Sequence, residues 1–313
     1  MSALSKLVHV ALLGAALSLV APMASAGGIA VEPSALGAER VKLEASVQKA
    51  RAQNPKAFEA VRDVKGHRPE HYRNNRNPYP TASRELRGLG PAALLPMLEA
   101  LALDAPPRGD LTDAEWDALA IGMMEAVGVL RDTRARPVLH AAFAAKGLRP
   151  AVLSATARAL GRLGGDPELA LLVKHAKAGD PLELHAVEGL GQARRLESAK
   201  HLAARLADSK DADVSRMAAR SLGILGSSWA WRALGPSAEK TGLEVRRVCA
   251  DALAKGMARQ STKIRTTLAE SILMVQHPDT VALLGAARPA KGSAAQAIDA
   301  LIVRVERQQK SRR

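Results

Sequence analysis

The chain has 313 residues, with 45 Lys and Arg against 31 Asp and Glu, and a formal net charge of +14 at pH 7. Its apolar mass is Ala and Leu, and aromatics make up only 2% of it, which excludes an aromatic-rich globular core or a β-sandwich and favours closely packed helices. A single cysteine, Cys249, excludes an internal disulfide, and the basic excess points to an anionic partner: an acidic protein, a polyanionic polymer, lipid headgroups or nucleic acid.

Residues 1–26 read as an export signal. Lys6 supplies the positive start, Val8 to Val20 a short apolar stretch, Pro22 a break, and Ala24-Ser25-Ala26 a small-x-small site, so cleavage is expected after Ala26. The apolar run is too short to span a hydrocarbon core of about 30 Å, and no cysteine follows it to accept lipid. A soluble periplasmic or secreted protein is the expectation.

Residues 27–80 form an N-terminal helical segment and a polar arm. Helices are predicted from Ala38 to Gln53 and from Pro55 to Val64, with Pro55 at a first helical position where its missing N–H is harmless. Lys65 to Pro80 lacks periodicity and is rich in Asn, Pro and Arg, which reads as an extended arm or ordered loop. It carries both tyrosines, Tyr72 and Tyr79, and either caps the first apolar face of the array behind it or contacts a ligand. Within it, His67-Arg68-Pro69-Glu70-His71 fits the H-x-x-E-H pattern of inverted zinc peptidases. That chemistry needs both histidines on one helical face with Glu70 as general base, and Pro69 sits in the middle of the run.

Residues 81–292 carry a repeat. A short helix pair turns at Gly88 to Pro91, a polar insertion follows at Asp104 to Asp110, and Thr112-x-x-Glu115 forms a capping box that opens the next helix. Val127-Gly128, Leu160-Gly161, Leu190-Gly191, Leu222-Gly223 and the degenerate Leu253-Ala254 then recur at intervals of 33, 30, 32 and 31 residues. Such a period means units that cannot bury their apolar faces alone and must stack. Asp166-Pro167 and Asp180-Pro181 are expected helix starts, and Gly147, Gly179 and Gly242 expected left-handed stops. Asp208, Asp211 and Asp213 miss the spacing of a calcium loop and read as an inter-repeat turn with an N-cap. Cys249 reads as a small buried side chain. Helices from Thr262 to Val275 and Pro278 to Ala287 follow, and residues 293–313 make a capping helix, Ser293 to Gln309, with a basic tail.

The stretches ATARALGRLGGDPELALLVKHAKAGD and DADVSRMAARSLGILGSSWAWRAL resemble HEAT-like repeats of the phycobilin-lyase type. The resemblance runs from about Arg84 to Ala287, is clear for the four units from Asp113 to Gly242, and fades beyond. It implies an all-α fold: a right-handed superhelix, an α-solenoid of stacked antiparallel helix pairs, with second helices lining a concave surface. It implies no chemistry, because such repeats serve scaffolds and enzymes alike.

On that geometry the second helices carry a basic row: Arg134, Arg136 and Lys146, then Lys174, His175 and Lys177, then Arg194, Arg195, Lys200, His201 and Arg205, then Trp229, Trp231 and Arg232. Arg and Trp are over-represented in interface hot spots, although either tryptophan could instead pack between repeats. The expectation is an exported, non-enzymatic scaffold or adaptor without a cofactor or metal. It would bind a protein, acidic in character, through Arg136, Lys174, Arg195, Lys200, Arg205, Trp229, Trp231 and Arg232. The alternatives are a metal-dependent hydrolase using His67, Glu70 and His71, or polyanion binding; export argues against genomic DNA.

Overall fold

The computed structural model describes residues 27–73 and 79–311; the expected signal and its cleavage site lie outside the described residues. All regular structure among them is helical. In chain order the helices are α1 (Glu39–Gln53), α2 (Pro55–Arg62), α3 (Pro69–Arg73), α4 (Tyr79–Gly88), α5 (Leu94–Ala102), α6 (Asp113–Leu130), α7 (Arg136–Ala144), α8 (Pro150–Leu163), α9 (Asp166–His175), α10 (Glu183–Leu190), α11 (Leu196–Asp208), α12 (Ala212–Leu225), α13 (Ser228–Arg232), α14 (Glu239–Arg259), α15 (Thr262–Val275), α16 (Thr280–Ala287) and α17 (Ser293–Lys310).

Two rows organise them. The first helices α4, α6, α8, α10, α12 and α15 pack one against the next, each followed by a second helix, and α11, α14 and α16 pack in succession in the second row. The result is an α-solenoid of stacked helix pairs of the HEAT-like kind. Its core runs the length of the rows through fully buried Leu119, Met123, Leu160, Leu190, Leu222 and Leu268, so each unit is stabilised mainly by its neighbours.

The Leu-Gly step marks where first helices cross. A Cβ on Gly128 would stand 2.7 Å from Ala159 Cα, one on Gly191 2.8 Å from Ser221 Cβ, one on Gly223 2.7 Å from Ser271 Cβ, and one on Gly161 would drive into the Gly189 carbonyl. The leucine fills the core while the glycine beside it lets the next helix approach.

The fifth step departs from this. Leu253 and Ala254 lie in α14, which belongs to the second row, and the first row continues directly from α12 to α15. The break comes from the insertion of the five-residue α13, which pushes the true second helix 11 residues downstream, to start at Glu239. Gly242 accordingly ends nothing: it is buried inside α14, where a Cβ would stand 2.7 Å from the Trp231 ring. The left-handed turn falls at Gly235, φ 83°, while Gly147 and Gly179 do take the expected positive φ, 87° and 80°.

The helix starts are mixed. Thr112 and Glu115 form the full capping box, and Asp211 accepts from the N–H groups of Asp213 and Val214 as the cap of α12. Asp166 is the first residue of α9, and its carboxylate pairs with Arg195 instead of capping. Asp180 accepts from Leu182 N–H, fixing a turn ahead of α10. Cys249 is fully buried, and burial pushes its thiol up to about 12.

The polar arm is not a loop throughout. Lys65–His67 makes a 3-10 turn and Pro69 opens α3, a position that suits its fixed φ. The Tyr72 hydroxyl donates to the Gly66 carbonyl at 2.8 Å, and His71 and Tyr72 are buried, the latter with Leu111 and Ala118. This turn packs on α4 and α6. The turn at Lys65–His67 thus lies against the start of the first-helix row.

Candidate functional site

The sequence placed eight contact residues on the second-helix side; the structure divides them. Three arginines are engaged inside the solenoid. Arg136, at the start of α7, donates to Glu168 of α9 at 2.5 and 3.3 Å, and His140 adds a contact at 3.3 Å. The Glu168 side chain is 0% exposed and that of Arg136 is 36% exposed. Burial works to raise the Glu168 carboxyl, but the hydrogen bond and charge of Arg136, with help from His140, outweigh it and hold the carboxyl below its usual range. Arg195 bridges repeats by binding Asp166 at 2.7 Å and the Gly164 carbonyl at 3.3 Å. Arg205 pairs with Glu183, both largely buried.

Trp231 is withdrawn as a contact residue. It is 6% exposed, its indole N–H donates to the Leu225 carbonyl at 2.7 Å, and its ring fills the space above Gly242. An indole N–H that finds a backbone acceptor is the ordinary state of a core tryptophan.

Four of the eight present themselves to solvent. Lys174 on α9 and Lys200 on α11 are exposed, and among the described residues neither has an ion-pair or hydrogen-bond partner. Neighbouring Lys177 is the same. On α13, Trp229 is 73% exposed and Arg232 is exposed beside it. The sequence reading missed what surrounds them: Leu234 and Leu243 are also exposed, and a cleft of about 330 Å³ opens between α13 and α14, lined by Arg232, Pro236, Leu243 and Arg246. The signal was there in the apolar residues flanking Gly235 and Gly242, but the stop assigned to Gly242 hid it.

A second cleft, of about 670 Å³, lies between α1 and α7. Its floor is Leu36, Leu43, Leu95 and Val138, and its rim carries Lys42, Arg134, Arg136 and His140. Each of these rim side chains already meets a carboxylate: Lys42 holds Glu39, Arg134 holds Asp132, and Arg136 and His140 share Glu168.

The histidine motif does not assemble a metal centre. His67 Nε2 lies 3.1 Å from the Val61 carbonyl, the His71 ring packs edge-on against Tyr72, and Glu70 is exposed. Among the described residues no group of three or more His, Cys, Asp and Glu side chains could hold a metal ion. Three other histidines are structural: His175 pairs with Asp180, His185 meets Ser154, and His277 is buried and accepts from Asp279 N–H, while His201 is exposed. No described helix is long and apolar enough to cross a membrane.

No family model and no curated protein matches the chain. Among solved structures it is similar to human deoxyhypusine hydroxylase in complex with glycerol, at 19% identity over 83% of this chain and 98% of that one, with a TM-score of 0.35. At that score neither fold nor activity carries across. That neighbour is an enzyme, and the expectation of a non-enzymatic chain is withdrawn, because helical stacking of this kind gives no ground for excluding catalysis.

Proposed function

We propose that the chain is an exported helical-repeat scaffold that binds an acidic protein partner along its second-helix side. The observation that carries this reading is the run of unpartnered exposed cations Lys174 on α9, Lys177 in the turn after it and Lys200 on α11, the next second helix, with exposed Trp229 and Arg232 on α13. The lysines supply steering and complementarity, which govern encounter rate more than final affinity. Trp229 and Arg232, beside the apolar cleft between α13 and α14, supply the anchor, since truncating a hot-spot tryptophan typically costs about 2 kcal/mol or more. Arg136, Arg195 and Arg205 hold the helices that present this surface.

The test is affinity capture from the native envelope fraction at low and high salt, comparing the unaltered chain with Lys174→Glu/Lys200→Glu and with Trp229→Ala. The expected result is a partner bound by the unaltered chain, lost on charge reversal at either salt and weakened by Trp229→Ala, with all three proteins equally helical by circular dichroism. Capture of the same proteins by the charge-reversed variant would overturn the proposal.

A further inference from the structure

A third cleft, of about 740 Å³, lies between α2, α5 and the polar insertion that follows α5. Its walls are apolar: Phe58 and Val61 come from α2, Pro96 from α5, and Pro106 and Pro107 from the insertion. Clefts of this size hold small molecules, and they are typically apolar with a few placed polar groups that fix the ligand's orientation. Here those groups are Arg62, His67, Glu99 and Asp104.

The walls are set by contacts within the chain. The Arg51 guanidinium lies 4.3 Å from the centre of the Phe58 ring and pairs with Glu99, which ties α1, α2 and α5 together and leaves Glu99 already matched. The N–H groups of Leu103 and Asp104 both donate to the Glu99 carbonyl, at 2.8 and 2.9 Å, and Ala105 N–H donates to the Gly27 carbonyl at 3.2 Å. The insertion therefore leaves α5 in a fixed direction, and Asp104 is placed with it.

His67 is held as well. Its Nε2 lies 3.1 Å from the Val61 carbonyl, which can only accept, so Nε2 carries the proton and Nδ1 is left as an acceptor. Burial lowers the His67 pKa by more than the Val61 carbonyl and the charges of Asp63 and Glu85 raise it, which keeps the ring neutral near neutral pH.

Two charges remain. Arg62 and Asp104 are exposed, opposite in sign, and neither has a hydrogen-bond or ion-pair partner among the described residues. Both line the cleft, yet they do not pair with each other across it.

We propose that this cleft binds a small zwitterion with an apolar body, an amino acid or a short peptide. Asp104 and the His67 Nδ1 accept from the ammonium, Arg62 donates to the carboxylate, and the apolar body lies against Val61, Pro96 and Pro107. A ligand with a single charge would leave Arg62 or Asp104 unmatched. The site is separate from the lysine row and does not depend on it.

The test is isothermal titration of the purified chain at constant ionic strength and neutral pH, with leucine and with leucyl-leucine in separate runs. Saturable one-site binding of either supports the site, and the tighter of the two tells whether a free amino acid or a peptide is the ligand. The N-acetylated form of that compound, which lacks the ammonium, and its amide, which lacks the carboxylate, should each bind about ten-fold more weakly or worse, the loss expected for a charged hydrogen bond. Asp104→Asn should erase the preference over the N-acetylated form, and Arg62→Gln the preference over the amide; both replace exposed, unpartnered side chains and should leave helicity unchanged by circular dichroism. Lys174→Glu/Lys200→Glu should bind as the unaltered chain does, which separates this site from the partner surface. Absence of saturable binding to both compounds, equal affinity for free and blocked forms, or preferences that survive Asp104→Asn and Arg62→Gln would overturn the proposal.

Discussion

Replacing Arg136 with methionine should destabilise the solenoid by about 2 kcal/mol at neutral pH. The magnitude follows from the Glu168 pocket. The Glu168 side chain is fully buried, and its oxygens are held by Arg136 at 2.5 and 3.3 Å and by His140 at 3.3 Å. Removing one member of a fully buried pair costs about 3–5 kcal/mol, because a charge is left without a partner. Arg136 is 36% exposed, so water can follow it in and screen part of that cost, which brings the figure down to about 2 kcal/mol. Methionine keeps the apolar stem, so packing changes little. The sign with pH is fixed by the carboxyl: held below its usual range, Glu168 stabilises the fold above its unfolded value, and that contribution is lost as pH falls through the folded value. The assay is urea unfolding followed by circular dichroism at neutral and acid pH, on Arg136→Met, Glu168→Gln and the double variant. The penalty should shrink in acid and be partly restored in the double variant, where the buried group is neutral. A change within about 0.5 kcal/mol, the range of an ordinary surface substitution, would refute the reasoning, as would a penalty that does not change with pH.

Two further expectations test the packing. Gly161→Ala should cost more than about 4 kcal/mol or prevent cooperative folding, because its Cβ would meet the rigid Gly189 carbonyl. Gly285→Ala, at an exposed helical position with nothing within 4 Å, should stabilise by about 1 kcal/mol; similar small effects at both sites in urea titrations would mean that α8 and α10 do not cross there. The Cys249 thiol, buried and pushed up to about 12, should resist a thiol-specific reagent in the folded chain and react fully in urea. Native-state labelling at the rate of a free cysteine would contradict its place in α14.

What could be read in the sequence was whatever is encoded locally. The box at Thr112 and Glu115, the cap at Asp211 and the proline that opens α2 are decided by residues within one turn of each other, and the structure follows them. The Leu-Gly step was legible for a related reason: each unit meets the next through the same close contact, so the same two residue types return. Partners a whole repeat apart were not legible. Arg136 with Glu168 is separated by 32 residues and Arg195 with Asp166 by 29, so a row of arginines that looked free for a ligand is partly the mortar between units. Lysine and arginine differ here in a way composition hides. The planar guanidinium bridges carboxylates and carbonyls across the stack, while Lys174, Lys177 and Lys200 remain in solvent.

The fourth unit shows how the same local grammar can mislead. Leu253-Ala254 has the composition of a first-helix step and arrives on period, yet it sits in the second row, because α13 interrupts the unit and α14 takes the place of the second helix. Nothing in α14 alone distinguishes the rows; the deciding fact is that Trp231, six residues after Leu225, caps the preceding helix through its indole and needs Gly242 beneath it. The insertion therefore has its own folding logic, a buried tryptophan locking a short helix onto a glycine. It also leaves Trp229, Leu234 and Leu243 exposed, the last of them on the wall of a cleft between α13 and α14. A regular array stabilises itself at every step, so the place where it tolerates exposed tryptophan and leucine is the place where its surface is shaped for something other than its own stacking.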